Sequence, residues 1–400
     1  MRLSATVQTL KPSATIAAAA KARELKQKGV TVFEFTLGEP DFTTPAHICD
    51  AAKEAMDAGH THYTPASGIP DLKKAICAAY QRDYGLDYEP TQVVVSNGAK
   101  HSIHNVLTSL CGPGDEVIIP TPYWVSYSAL VELTGATPVL VPTTQESGFC
   151  LQPEQFAAAV TDKTRLLMLN NPCNPTGAAY PVETLEGLAR VAVEKQVPVL
   201  SDEIYSHLVY DDADFASLLA YPSLRDRVIL LDGWSKTFAM TGWRLGYGVW
   251  PKALVPQIRK IITITHSCVA NVAQIAGLAA VTGPREPVER FRRTFAERRE
   301  AVVAGLNALP GVSCRAPGGA FYAFPNVTGT GLSSAELAER LLEEADIALI
   351  PGESFGANGR GYLRLSYAAD MAEIEEALAR MGEFLAVNGR SKEEAMPGTR

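Results

Sequence analysis

From Gln92 onward the chain repeats one pattern: a short apolar run, a polar turn, then a helical stretch. The run 93–95 ends at 96-SNGAK-100, ahead of a helix over 101–110. The run 117–119 ends at 120-PTPYW-124, 165–169 at 170-NNPCNPTG-177, and 197–200 at 201-SDEIY-205. Strands that alternate with helices need crossover connections. The expected fold class is therefore α/β, with a mostly parallel central sheet flanked by helices. In such sheets ligands sit outside the carboxyl ends of the strands. All four turns fall there.

The flanking regions read differently. A polar arm and an Ala-rich helix fill residues 1–30, and a strand over 32–37 is broken by 38-GEPDF-42, where Gly38 lets a ligand approach the backbone. A helix over 46–58 and another opened by Pro70-Asp71 follow. After about residue 290 come a charged helix over 286–306, 317-PGGAFYAFP-325, a helix over 334–344, a strand over 348–350, the turn 351-PGESFG-356 and a strand within 361-GYLRLSY-367. Four hundred residues exceed one ordinary core. A large domain over 45–290 is expected, with a smaller α+β domain formed by 1–44 and 291–400.

Composition removes several functional classes. A net charge of −8 without a Lys/Arg run argues against a nucleic-acid surface. The seven cysteines are scattered and never form a CxxC pair, which fits thiols in a reducing cytosol and not disulfides or a zinc site. Lys21 and Arg23 close the apolar run 16–20 before a signal-peptide core develops, and no segment approaches the roughly 20 apolar residues of a membrane span. A cytoplasmic protein is expected. Gly329-Thr330-Gly331 lacks the third glycine and early βαβ setting of a nicotinamide site.

The segment 228-VILLDGWSKTFAMTGWRLGYGVW-250 reads as strand, loop, strand, with Lys236 in a mostly apolar setting. Desolvation lowers a lysine pKa and makes a neutral amine available. Beside Ser235 and Arg244, such an amine suits an imine with a phosphorylated aldehyde, pyridoxal 5'-phosphate. The plainer reading is an exposed loop lysine. The turn 97-NGAK-100 offers free N–H groups at a helix start for an anion, as many α/β turns do. Asp202 closes an apolar strand, as a turn-former or as the partner of a pyridine ring nitrogen, with Tyr205 and Asn174 near its phenolic oxygen. Asn171-Pro172 and Asn174-Pro175 also fit turn chemistry alone, and Trp124 fits a core indole. Arg364 lies among Leu363, Leu365 and Tyr367, where an arginine needs a partner.

Together the order Asn-Pro-Thr-Gly (174–177), Asp-x-x-Tyr (202–205), Ser-Lys (235–236) and Arg244 resembles the pyridoxal-phosphate aminotransferases of the aspartate aminotransferase superfamily. The resemblance runs from 37-LGEPDF-42 to 362-YLRLSY-367, and Ser-Lys-x-x-x-x-x-Gly-Trp-Arg-Leu-Gly is its most specific segment. It implies the fold type I architecture of these enzymes. It makes Lys236 the Schiff-base lysine and proton-transfer base, and Asp202 the partner of the ring nitrogen. Asn174 and Tyr205 hold the phenolic oxygen. Gly98, Ala99, Ser235 and Arg244 bind the phosphate, and Trp124 stacks on the ring beside the substrate. Arg364 clamps the substrate α-carboxylate, with Gly38 and Asn174. Tyr63 reaches the phosphate of the neighbouring subunit, which implies a homodimer with shared active sites.

Lys100, within the phosphate turn, matches the residue that takes a distal carboxylate in the bacterial branch. Thr15, within 12-PSAT-15, matches a position tied there to prephenate as a second amino acceptor. The implied reaction moves the amino group of L-aspartate to 2-oxoglutarate by ping-pong kinetics. The alternatives are an aromatic or neutral amino-acid aminotransferase or a C–S β-lyase. The segment 265-THSCVANVAQ-274 departs from the Ser-Thr-Ser-Asn-type loop usual near the entrance and bears on specificity.

Overall fold

In the computed structural model, which describes residues 3, 7–8, 14–211 and 215–388, the apolar runs become strands of one sheet. They are β2 (Val93–Ser96), β3 (Glu116–Thr121), β4 (Thr137–Pro142), β5 (Thr164–Asn170), β6 (Val199–Asp202), β7 (Val228–Gly233) and β8 (Gly246–Val249). β1 (Phe33–Glu34) lies outside this sheet, whose order is β2-β8-β7-β6-β5-β3-β4. Neighbours from β3 to β7 are parallel, while β8 is antiparallel to both β7 and β2. Only residues 234–245 join β7 to β8, too few for a crossover helix, so the chain doubles back. The amino end of β8 therefore lands at the same edge as the carboxyl ends of its parallel neighbours.

Burial of both faces explains the unbroken apolar runs. Val93 and Val95 pack with Ile48, Leu72 and Leu188 on one side. Val94, Leu200 and Ile229 pack with Ile103, Val106 and Ile258 on the other. Successive strand residues point to opposite faces.

A second core joins Phe33 and Phe35 to Phe295, Phe321, Leu341, Leu365 and Phe384. Around it lie β9 (Tyr322–Ala323), β10 (Ile347–Ala348), β11 (Ile350–Pro351) and β12 (Leu363–Ser366). β11, β12 and β9 form an antiparallel sheet, and β1 pairs in parallel with β10, Phe33 opposite Ile347. The expected strand over 32–37 shortens to β1 because its partner is two residues long, although the Phe35 N–H still donates to the Ala348 carbonyl. The expected strand over 348–350 is two short ones. Residues 234–245, read as loop, contain a helical turn (Trp234–Thr237) and a 3-10 turn (Thr241–Trp243).

All seven cysteines are free thiols. No helix among the described residues is long and apolar enough to cross a membrane.

Candidate active site

A cavity of about 470 Å³ opens at the strand ends described above. Lys236 enters it from the helical turn that follows β7, and its Nζ donates to the Gly38 carbonyl at 2.5 Å. Burial lowers its pKa to about 8, with Arg244 and Arg364 adding repulsion against the pull of Glu39 and Asp202. Asp202 ends β6 and is 4% exposed. Burial raises its pKa to about 6, while hydrogen bonds and the Lys236 charge oppose the rise. Those bonds come from the Tyr127 hydroxyl (2.6 Å, to Oδ2) and the Ile204 N–H (3.3 Å, to Oδ1). At neutral pH the cavity thus holds a carboxylate and an amine of reduced basicity.

One end of the cavity suits a phosphate-class anion. The helix Ala99–Leu110 starts at Gly98 (φ 82°) with no side-chain cap, leaving its first N–H groups open. A Cβ on Gly98 would lie 2.7 Å from Nη2 of Arg244, and one on Gly246 would lie 2.4 Å from the Ala99 nitrogen. Two bare Cα atoms therefore let guanidinium, helix start and β8 close on each other. Arg244 sits just ahead of β8, its Nη1 donating to the Thr241 carbonyl at 2.7 Å. Ser235 and Ala99 line the same cavity.

The other end suits a carboxylate. Arg364, in β12, is 2% exposed. Its Nη1 donates to Asn174 Oδ1 at 3.0 Å and its Nη2 to the Thr36 carbonyl at 2.5 Å, but its buried Nε has no partner. The Tyr322 and Phe355 rings lie 4.8 and 5.0 Å from the guanidinium carbon. A buried cation held only by neutral acceptors calls for an anion. Asn174 is set by its own N–H on Asn170 Oδ1 (2.8 Å), and Asn170 donates to the Asp202 carbonyl (3.0 Å).

Lys100 and Trp124 also line the cavity, Nζ lying 4.6 Å from the ring centroid. Burial, then Arg244, lowers the Lys100 pKa. The Tyr205 and Tyr322 hydroxyls are hydrogen-bonded at 2.9 Å.

The structure thus gathers Gly38, Ala99, Lys100, Trp124, Asn174, Asp202, Tyr205, Ser235, Lys236, Arg244 and Arg364 at one cavity, with Gly98 directly beneath Arg244. Tyr63 stands apart, 88% exposed and outside the lining. Thr15 falls in the helix Ala14–Gln27, its side chain outside the described residues. Tyr127, Tyr322 and Asn170 escaped the sequence reading. Each lies in or beside a quoted motif, but only tertiary contact shows what its polar atom does. The departing segment 265–274 has a structural use: Gln274 accepts from the Ile69 N–H (2.8 Å) and donates to Thr64 Oγ1 (2.9 Å), tying down the turn after Tyr63. Among the described residues no group of three or more His, Cys, Asp or Glu could hold a metal ion.

The family model "Aminotransferase class I and II" matches residues 30–381. The chain is 43% identical over 391 residues to an aspartate aminotransferase of Geobacillus stearothermophilus, covering 96% of this chain and 99% of that protein. It is 44% identical over 396 residues to an aspartate/prephenate aminotransferase of Cereibacter sphaeroides, covering 96% and 98%. The crystal structure of the Rhizobium meliloti aspartate aminotransferase superposes with a TM-score of 0.93 at 37% identity, covering 96% of this chain and 99% of that one. The chain belongs to the class I and II aminotransferase family.

Proposed function

We propose that the protein is a pyridoxal 5'-phosphate-dependent aminotransferase that moves the amino group of L-aspartate to 2-oxoglutarate, with prephenate as a second acceptor to be tested. The observation that carries the reading is one cavity holding a buried lysine of lowered pKa, a buried carboxyl and an arginine with an unpartnered Nε. The relatives' names support the substrate. The donor set fits the cofactor. Gly98, Ala99, the backbone N–H of Lys100, Ser235 and Arg244 would hold its phosphate, Asp202 its ring nitrogen, and Asn174 and Tyr205 its phenolic oxygen. Trp124 would lie against the ring.

When bound, the cofactor supplies an electron sink next to the reacting carbon. Lys236 Nζ would take the proton from the substrate α-carbon and hold it for return, which its lowered basicity allows near neutral pH. Tyr127 keeps Asp202 ionised and oriented. Arg364 and Asn174 orient the α-carboxylate beside Gly38, and Lys100 takes the distal one. Thr15 is the residue we assign to prephenate use. Residues 45–290 act as the large domain and 1–44 with 291–400 as the smaller one, which closes on a dicarboxylate and excludes water. The working form is a cytoplasmic homodimer in which Tyr63 completes the partner's phosphate site.

An absorbance spectrum tests the proposal. A visible band should fade on adding L-aspartate and return with 2-oxoglutarate. A band that answers only aromatic or neutral amino acids moves the substrate. Loss of a β-substituent without oxo-acid-dependent transfer indicates a C–S lyase, and no band after adding the cofactor ends the proposal.

A further inference from the structure

The helix Ala14–Gln27 forms part of the cavity wall with Ala19, Ala20 and Arg23, spaced to share one face over the opening. The other cations at this helix have acid partners: Lys21 with Glu343 at 3.2 Å, Lys26 with Glu34 at 2.8 Å, and Lys28 with Glu24 at 2.6 Å. Arg23 has no ion pair or hydrogen bond among the described residues. The cavity it faces is already cationic, since Lys100, Lys236, Arg244 and Arg364 line it against a single carboxyl, Asp202. A fifth positive charge there is repelled by its neighbours, screened in part by water at the rim, and drawn to any anion that enters. A guanidinium matches a carboxylate with two parallel N–H donors.

Resting on the function proposed above, we infer that Arg23 is a specificity-determining residue that takes the second carboxylate of dicarboxylate substrates, alongside Lys100. Alanine, pyruvate and other substrates with one carboxylate leave it in water. Arg23 is exposed at the rim, so its effect is modest and falls with added salt.

The test is calorimetric titration of the cofactor-loaded protein with maleate, which has two carboxylates and neither an amino nor an oxo group, and with acetate. Arg23→Ala should weaken maleate about twofold to fivefold at low salt, and Arg23→Glu more. Arg23→Lys should keep most of the affinity, and acetate should bind all four proteins alike. The selectivity kcat/KM for 2-oxoglutarate over pyruvate should fall in parallel. Unchanged maleate binding in Arg23→Ala, or an equal loss for acetate, overturns the assignment while an intact aspartate half-reaction leaves the function standing. A wild type without that half-reaction overturns both.

Discussion

At the scale of the residue, Lys236 shows how burial sets reactivity. With a pKa near 8, about a tenth of its amine is neutral at pH 7. Capture of the aldehyde cofactor by cofactor-free protein should therefore speed up about tenfold per pH unit below 8 and level off above it. Stopped-flow growth of the visible band measures this, and a rate flat from pH 6 to 8 would contradict it. Lys236→Ala should abolish turnover. Tyr127→Phe removes the hydroxyl that helps hold Asp202 down, so the Asp202 pKa should climb above about 6. The pH at which the bound cofactor's spectrum shifts should climb with it; an unmoved midpoint would mean Tyr127 only fills space. Lys236 and Asp202 were legible in the sequence because ionisable groups stand out in apolar runs. Tyr127 and Tyr322 were not, since an aromatic in a helix or strand looks like core until its hydroxyl finds a partner far along the chain.

At the scale of the element, the join between β8 and the helix Ala99–Leu110 depends on contact through Gly98 and Gly246. Gly98→Ala would need a left-handed backbone and would push Arg244 away. It should cost cofactor affinity at least tenfold, read by fluorescence titration, with melting changed less. Two further buried carboxyls lie elsewhere along the sheet. Glu203, after β6, accepts from Ser201 and Ser217, and burial raises its pKa to about 8; Asp232, in β7, is raised to about 7. In the unfolded chain both ionise near pH 4. Because the folded chain keeps their protons longer, their stabilisation is full below about pH 4 and is lost as pH rises through about 7 to 8. Glu203→Gln keeps the acceptor and removes the charge, so its melting point should exceed wild type by a few degrees at pH 9 and by much less at pH 5. Calorimetry at the two pH values checks this.

The elements themselves were legible where one residue type dominated. Val93–Ser96 and Val228–Gly233 stand almost where the apolar runs indicated. β4 was not visible, because Pro138 and Pro142 and half-exposed side chains make an edge strand read as a linker. β1 was overread, because ladder length is set by a partner more than 300 residues away.

At the scale of the molecule, the proposed sharing of sites makes a mixing experiment decisive. Lys236→Ala lacks its amine, and a Tyr63→Ala homodimer should bind cofactor weakly. Exchanged subunits would pair an intact Lys236 with an intact Tyr63 in one site of each heterodimer. Mixing should restore activity, detected as transamination at limiting cofactor that neither parent supports; no recovery after verified exchange would separate Tyr63 from the neighbouring site. The exposure of Tyr63 in the single chain fits such a role.

The pairing of Phe33 with Ile347 also sets a timetable. A ribosome extending the chain at roughly 5–20 residues per second reaches the partner strand roughly 15–60 s after the first is made. Until then Phe33 and Phe35 lack the strand that pairs with them, and Arg364 arrives later still. The nascent chain can complete the sheet and the phosphate end of its site while Arg364 is unwritten, so the grip on the substrate α-carboxylate is the last part of the site this protein acquires at birth.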